Sequence, residues 1–100
     1  MTEPALPALT PPRLPLGQLV ATPAAIAALS EAGVSVYLLL NRHARGDWGE
    51  LREADRLQNV LAVNTGERVV SSYRLPNQQK VLIITEADRA ATTVLLPEDY

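Results

Sequence analysis

Residues 42–48, Arg-His-Ala-Arg-Gly-Asp-Trp, are the densest concentration of chemically capable side chains in the sequence. His43 is the only histidine and Trp48 the only tryptophan. A histidine near its ordinary pKa can give or take a proton at neutral pH. Arg42 and Arg45 beside it could hold an anion or face an acidic partner, and Trp48 has the area to anchor an interface. The same residues also have architectural uses. Gly46 can end a helix, Asp47 can cap the next one, and Trp48 can plug the gap between them while His43 packs on a strand layer. The architectural use is the expected one, because each residue type fits a specific local task.

Thr85-Glu86-Ala87-Asp88-Arg89 is the second concentration. Loops between strands commonly carry function, and Glu86 with Asp88 could work as an acid/base or Mg²⁺ pair. Arg89 beside them favours mutual neutralisation in a polar hairpin loop. Taken together, His43, Glu86 and Arg89 would supply the base, acid and cation that metal-independent RNA cleavage needs. Compact microbial ribonucleases also place helices before an antiparallel sheet, which is an analogy of fold alone. A single lysine, Lys80, and a net charge of −2 count against nucleic acid as a partner, although eight arginines allow a local patch. Ser71 and Ser72 lie within a strand-like segment without the sharp turn that a nucleophilic serine requires.

Other chemistries are excluded by what the sequence lacks. There is no cysteine, and one histidine cannot build a multi-histidine metal site. Gly46 and Gly49 follow a helical segment rather than a strand, so they do not make a phosphate loop. No cofactor and no metal are expected. No apolar run approaches the roughly 18 residues of a membrane span, and no cationic segment precedes an apolar one. A cytoplasmic location without a membrane partner is the resulting expectation.

The elements that position these residues follow from periodicity. At 100 residues, 47% hydrophobic and 20% charged, the chain suits one globular domain. Five of the eight prolines fall in residues 1–16, which read as a flexible tail; Pro12 and Pro15 have the loose spacing of a polyproline ligand. A single α+β domain is expected over 17–100. Gln18–Ala21 is a short strand that could join at a sheet edge. Thr22-Pro23 starts a helix that ends near Gly33, with Ile26 and Leu29 on one face. Ser35 caps a second helix over 36–44 with a stripe of Val36, Leu39, Leu40 and His43. Asp47 and Glu50 have capping-box spacing before a third helix over about 50–63, whose face is Leu57, Val60, Leu61 and Asn64. Beyond Gly66 the period changes to two. Strands are expected near 68–75, 80–85 and 92–96, connected by short links that favour antiparallel pairing. The prediction is about three helices packed on a mainly antiparallel sheet of three to four strands. Pro97-Glu98-Asp99-Tyr100 reads as a solvated acidic end, with recognition of a basic partner through Tyr100 as the other use.

Three stretches, 17–23 (Gly-Gln-Leu-Val-Ala-Thr-Pro), 42–49 (Arg-His-Ala-Arg-Gly-Asp-Trp-Gly) and 84–97 (Ile-Thr-Glu-Ala-Asp-Arg-Ala-Ala-Thr-Thr-Val-Leu-Leu-Pro), resemble a family of small proteins encoded on bacterial plasmids and other mobile elements. The resemblance covers roughly 17–100. Two departures are the absence of an Asp-Gly turn in the segment 75–80 and of any phenylalanine. Some members of that family carry the label of a type I restriction modification subunit. That activity does not fit here, because a methyl transferase needs a doubly wound cofactor domain of well over about 100 residues. With no metal cluster, phosphate loop, thiol or convincing catalytic set in the sequence, the expectation is a non-enzymatic accessory protein that acts by binding another protein, and the resemblance sets it on a mobile element. Its sharpest form is inhibition of a host defence system. The rival is a small metal-independent ribonuclease using His43. The candidate partner-contact residues are Arg42, His43, Arg45, Trp48, Glu86, Asp88 and Arg89.

Overall fold

The computed structural model describes residues 13–100. In chain order the elements are β1 (Gln18–Ala21), α1 (Pro23–Ala32), α2 (Val36–Ala44), α3 (Glu53–Thr65), β2 (Val69–Arg74), β3 (Lys80–Thr85), β4 (Ala91–Leu95) and a closing 3₁₀ turn, Pro97–Asp99. Three helices pack with one four-stranded sheet of order β1-β4-β3-β2, the α+β arrangement that the change of period predicts. β2–β3 and β3–β4 are antiparallel. β1 joins the far edge parallel to β4, with Gln18 beside Ala91 and Ala21 beside Val94, so the sheet is mixed. A parallel neighbour needs a long crossover, and here all three helices lie within it.

Local chemistry starts and stops the first two helices as expected. The Thr22 hydroxyl accepts from the Ala25 N–H, and Pro23 occupies the first turn, where a missing donor costs nothing. Gly33 ends α1 at φ 68°, a conformation that a Cβ would strain. The Ser35 hydroxyl accepts from the Tyr37 N–H to start α2. The turn of α1 differs from the expected one. Ala25, Ala28 and Leu29 are buried, while Ile26 is 47% exposed. Small alanines let the helix backbone approach the sheet, which leaves the larger Ile26 at the rim.

One core lies between α1, α2 and the sheet, built on Leu29, Leu39, Leu40, Tyr73, Ile83 and Val94. A smaller cluster of Leu14, Trp48, Ala62 and Val69 sits at the β2 end. Residues 1–12 of the expected tail, with Pro12 of its polyproline spacing, lie outside the described residues. The tail's last residues are part of the packing. Leu14 is buried and donates its N–H to the Ala44 carbonyl at 2.9 Å, and Leu16 packs against both clusters. The closing turn is also tied down, because the Asp99 carboxylate accepts from the Thr22 hydroxyl and the Leu96 N–H. No described helix is long and apolar enough to cross a membrane.

Candidate functional site

The stripe of α2 faces the sheet, and its last member, His43, has no solvent exposure. Nδ1 meets the Ser71 hydroxyl of β2, and Nε2 lies 2.8 Å from Thr85 Oγ1 of β3. Thr85 Oγ1 is 2.7 Å from Thr92 Oγ1 of β4, which donates to the Leu16 carbonyl at 2.7 Å. Each hydroxyl has a single proton to give. The Thr92 proton goes to Leu16, so Thr85 donates to Thr92. His43 Nε2–H then donates to Thr85, and Nδ1 accepts from Ser71. One neutral tautomer therefore satisfies every member of the chain. Burial, with a smaller push from the Arg89 charge, lowers the His43 pKa to about 4. The ring is a neutral cross-link from α2 to β2 and β3, relayed to β4 through Thr85, and both of its nitrogens are occupied.

Arg42, one position earlier, turns to the surface. Its Nε donates to Asp47 Oδ2 at 2.7 Å and its Nη2 to Oδ1 at 3.2 Å. This forked contact raises the pKa of Arg42 and lowers that of Asp47. The guanidinium lies 4.7 Å from the centre of the Tyr73 ring, whose hydroxyl donates to the Asp47 carbonyl at 2.6 Å. Burial pushes the Tyr73 pKa up to about 12. Asp47 does not cap the third helix, contrary to expectation. α3 starts at Glu53 after Arg52, with no side-chain cap bond. The reason is the strand beside it. Ser72 donates its N–H to the Trp48 carbonyl and accepts from the Glu50 N–H, so 48–50 is held along the outer edge of β2, with Gly49 at φ 74°. Gly49 is required there, because a Cβ would collide with the Ser72 carbonyl and the Tyr73 ring. Glu50, expected to complete the capping box, pairs with Arg74 at 3.1 Å instead.

Asn59 completes the cover of β2. Its amide nitrogen donates to the Val70 carbonyl at 2.7 Å, and its amide oxygen accepts from the Val70 N–H at 3.2 Å. This double bond to the strand fixes the rotation of α3 about its axis. Asn59 and Ala62 face inward, and the expected apolar face turns outward, with Leu57 and Leu61 each 57% exposed. Between α2 and α3 lies a cleft of ≈ 280 Å³, walled by Leu14, Ala44 and Trp48 on one side and Val60 and Val63 on the other, with His43 beneath. Trp48 is buried as expected. Its Nε1 is the one buried side-chain polar atom without a hydrogen-bond partner among the described residues.

The second concentration folds onto itself. Arg89, at φ 61°, donates from Nη1 to the Glu67 and Glu86 carbonyls and from Nη2 to the Ala62 carbonyl at 2.9 Å. It thereby ties the β3–β4 turn to the end of α3, where a cation and extra donors are favourable. Asp88 Oδ1 accepts from the Ala90 N–H within its own turn. Glu86 and Arg45 are exposed. The structure thus gathers His43 and Trp48 at the cleft with Arg89 nearby, and leaves Arg45, Glu86 and Asp88 on the surface. Sequence reasoning missed Asn59, Thr85 and Thr92 as site residues. All three are buried polar side chains that hydrogen-bond across elements, and the one signal was polar residues within apolar segments. Comparison with family models, curated proteins and solved structures finds no match to this chain.

Proposed function

We propose that this chain is a non-enzymatic protein-binding module whose contact surface is α3 and the cleft beside it. The observation that carries this reading is the outward apolar stripe of α3, Leu57, Val60 and Leu61, bordering the cleft that Trp48 and Val60 line. Exposed apolar side chains grouped on one element mark contact surfaces. The resemblance to plasmid-borne proteins gives the reading a setting, in which the partner belongs to plasmid maintenance or to a host defence system. Nothing favours the ribonuclease reading: His43 reaches no solvent and spends both ring nitrogens on hydroxyls.

The test is affinity capture from a bacterial host, followed by reconstitution of the complex from purified components. Leu57→Lys and Leu61→Lys should abolish the reconstituted complex while circular dichroism stays unchanged. Neither the unaltered chain nor the His43→Gln variant should cleave RNA. A complex indifferent to both lysine variants, or RNA cleavage that disappears with His43→Gln, overturns the reading.

A further inference from the structure

The sheet has two edges, and among the described residues β1 is the uncovered one. Gln18 and Thr22 send their N–H groups to the Ala90 and Val94 carbonyls of the β4 segment, each at 2.9 Å. Strand alternation therefore points the N–H and C=O groups of Leu19 and Ala21 away from the sheet. The strand is Gln-Leu-Val-Ala, with no charge and no proline. Those are the devices by which natural edges repel a second strand. Leu19 and Val20 are close to half exposed, and the next residues outward, Ile26 and Tyr37, are 47% and 67% exposed. Leu19, Ala21, Ile26, Tyr37 and Leu40 line a groove of ≈ 180 Å³ along this edge.

We propose that this chain forms a two-fold dimer through β1, joining two sheets edge to edge into one. An antiparallel β1–β1 pair centred on Val20 uses every outward main-chain group. Leu19 of one copy exchanges both hydrogen bonds with Ala21 of the other, and Val20 faces its counterpart across the axis in the closer, non-hydrogen-bonded position. The side chains fit as well. Ala21 packs with the core that α1 and α2 cover, so Leu19, two residues away, points to the same face. The incoming Leu19 then lies beside the small Ala21 and fills the groove toward Ile26 and Tyr37. These four apolar side chains offer on the order of 400 Å² per copy, and the paired backbones bring the contact toward the roughly 800 Å² per partner of a standard interface. The edge carries no charge to repel its own copy, which commits the occupant to a second copy of this chain. The inference is independent of the α3 reading, since β1 and α3 lie at opposite edges.

The chain lacks cysteine, so Val20→Cys places a lone thiol on the axis, where non-hydrogen-bonded pairs come within disulfide reach. Under mild oxidation this variant should cross-link to a dimer much faster than Gln79→Cys on the β2–β3 turn. Sedimentation equilibrium of the unaltered chain up to about 200 µM should show the dimer. Leu19→Pro removes an outward donor and spares the β1–β4 bonds; Leu19→Lys brings in a charge. Each should weaken dimerisation by at least roughly tenfold with unchanged circular dichroism. A monomer throughout overturns the proposal, and so does a dimer indifferent to both Leu19 variants. Equal cross-linking rates for the two cysteine variants overturn it too.

Discussion

The two edges of the sheet are finished differently. β2 has the Val70 backbone held by the Asn59 amide and the Ser72 backbone held by residues 48 and 50. Among the described residues β1 has a ladder on one side alone, and Leu19 and Val20 stand close to half exposed. A polar edge can be silenced by one side chain of the right shape, because an amide carries the donor and acceptor of a peptide group. The cost is local: turning Asn59 inward turns Leu57 and Leu61 outward. The covered edge thereby creates an apolar surface on α3, and the open edge keeps one on β1.

The largest way to break this contrast is at the polar chain behind β2. His43→Ala removes a fully buried ring, leaves the Ser71 hydroxyl without its acceptor and Thr85 Oγ1 without one donor, and should cost roughly 3–5 kcal/mol in denaturant unfolding. Acid probes the same residue without mutation. The folded pKa is about 4 against an ordinary 6.5, so the unfolded chain takes up a proton first. Stability from this group is fully present above pH 6.5. It is lost as pH falls from 6.5 toward 4, by on the order of 3 kcal/mol, and then levels off. Unfolding curves across that range check the sign, and the dependence should vanish in the His43→Ala variant. Asn59→Ala uncaps Val70 and should cost about 2–3 kcal/mol, because it strands a donor and an acceptor together. It should also bring the Val70 amide into faster hydrogen exchange. Leu19→Lys is the smallest effect. Folding stability should stay within about 0.5 kcal/mol, and the change should register in assembly alone.

How much of this was legible followed from the range of the forces involved. Thr22, Pro23, Gly33 and Ser35 act on residues two to four positions away, so the bounds of α1 and the start of α2 could be read directly. The α2 stripe and the apolar run of β3 were likewise local, and they give three helices followed by a three-stranded meander. Asp47 shows where that logic ends. Its capping spacing was sound, but Arg42 and the backbone bonds of 48 and 50 to Ser72 compete for the same residues. The face of α3 was misread for a related reason. Its apolar stripe suggested burial, yet the Asn59 contact with a strand eleven positions on outweighed it. Of the candidate site, Trp48 burial and the packing of His43 on strands were readable, while the hydroxyl partners of His43 depend on sheet register. The parallel direction of β1 was beyond reach, since nothing near Gln18 refers to Ala91.

That distant pairing also sets the order of assembly in time. Thr92 and the Leu16 carbonyl it binds are 76 positions apart, whereas β2, β3 and β4 join through short turns. Closing the long loop has an entropic cost before it returns any contact. The meander therefore forms early and the N-terminal strand docks last. On the native side, β1 is the segment that detaches at the lowest free energy, ahead of global unfolding. Amides at 18–21 should exchange through a partial opening that leaves 69–95 protected. The strand would then be released, with the hydrogen-bonding edge of β4 laid bare, while the remaining three strands stay folded.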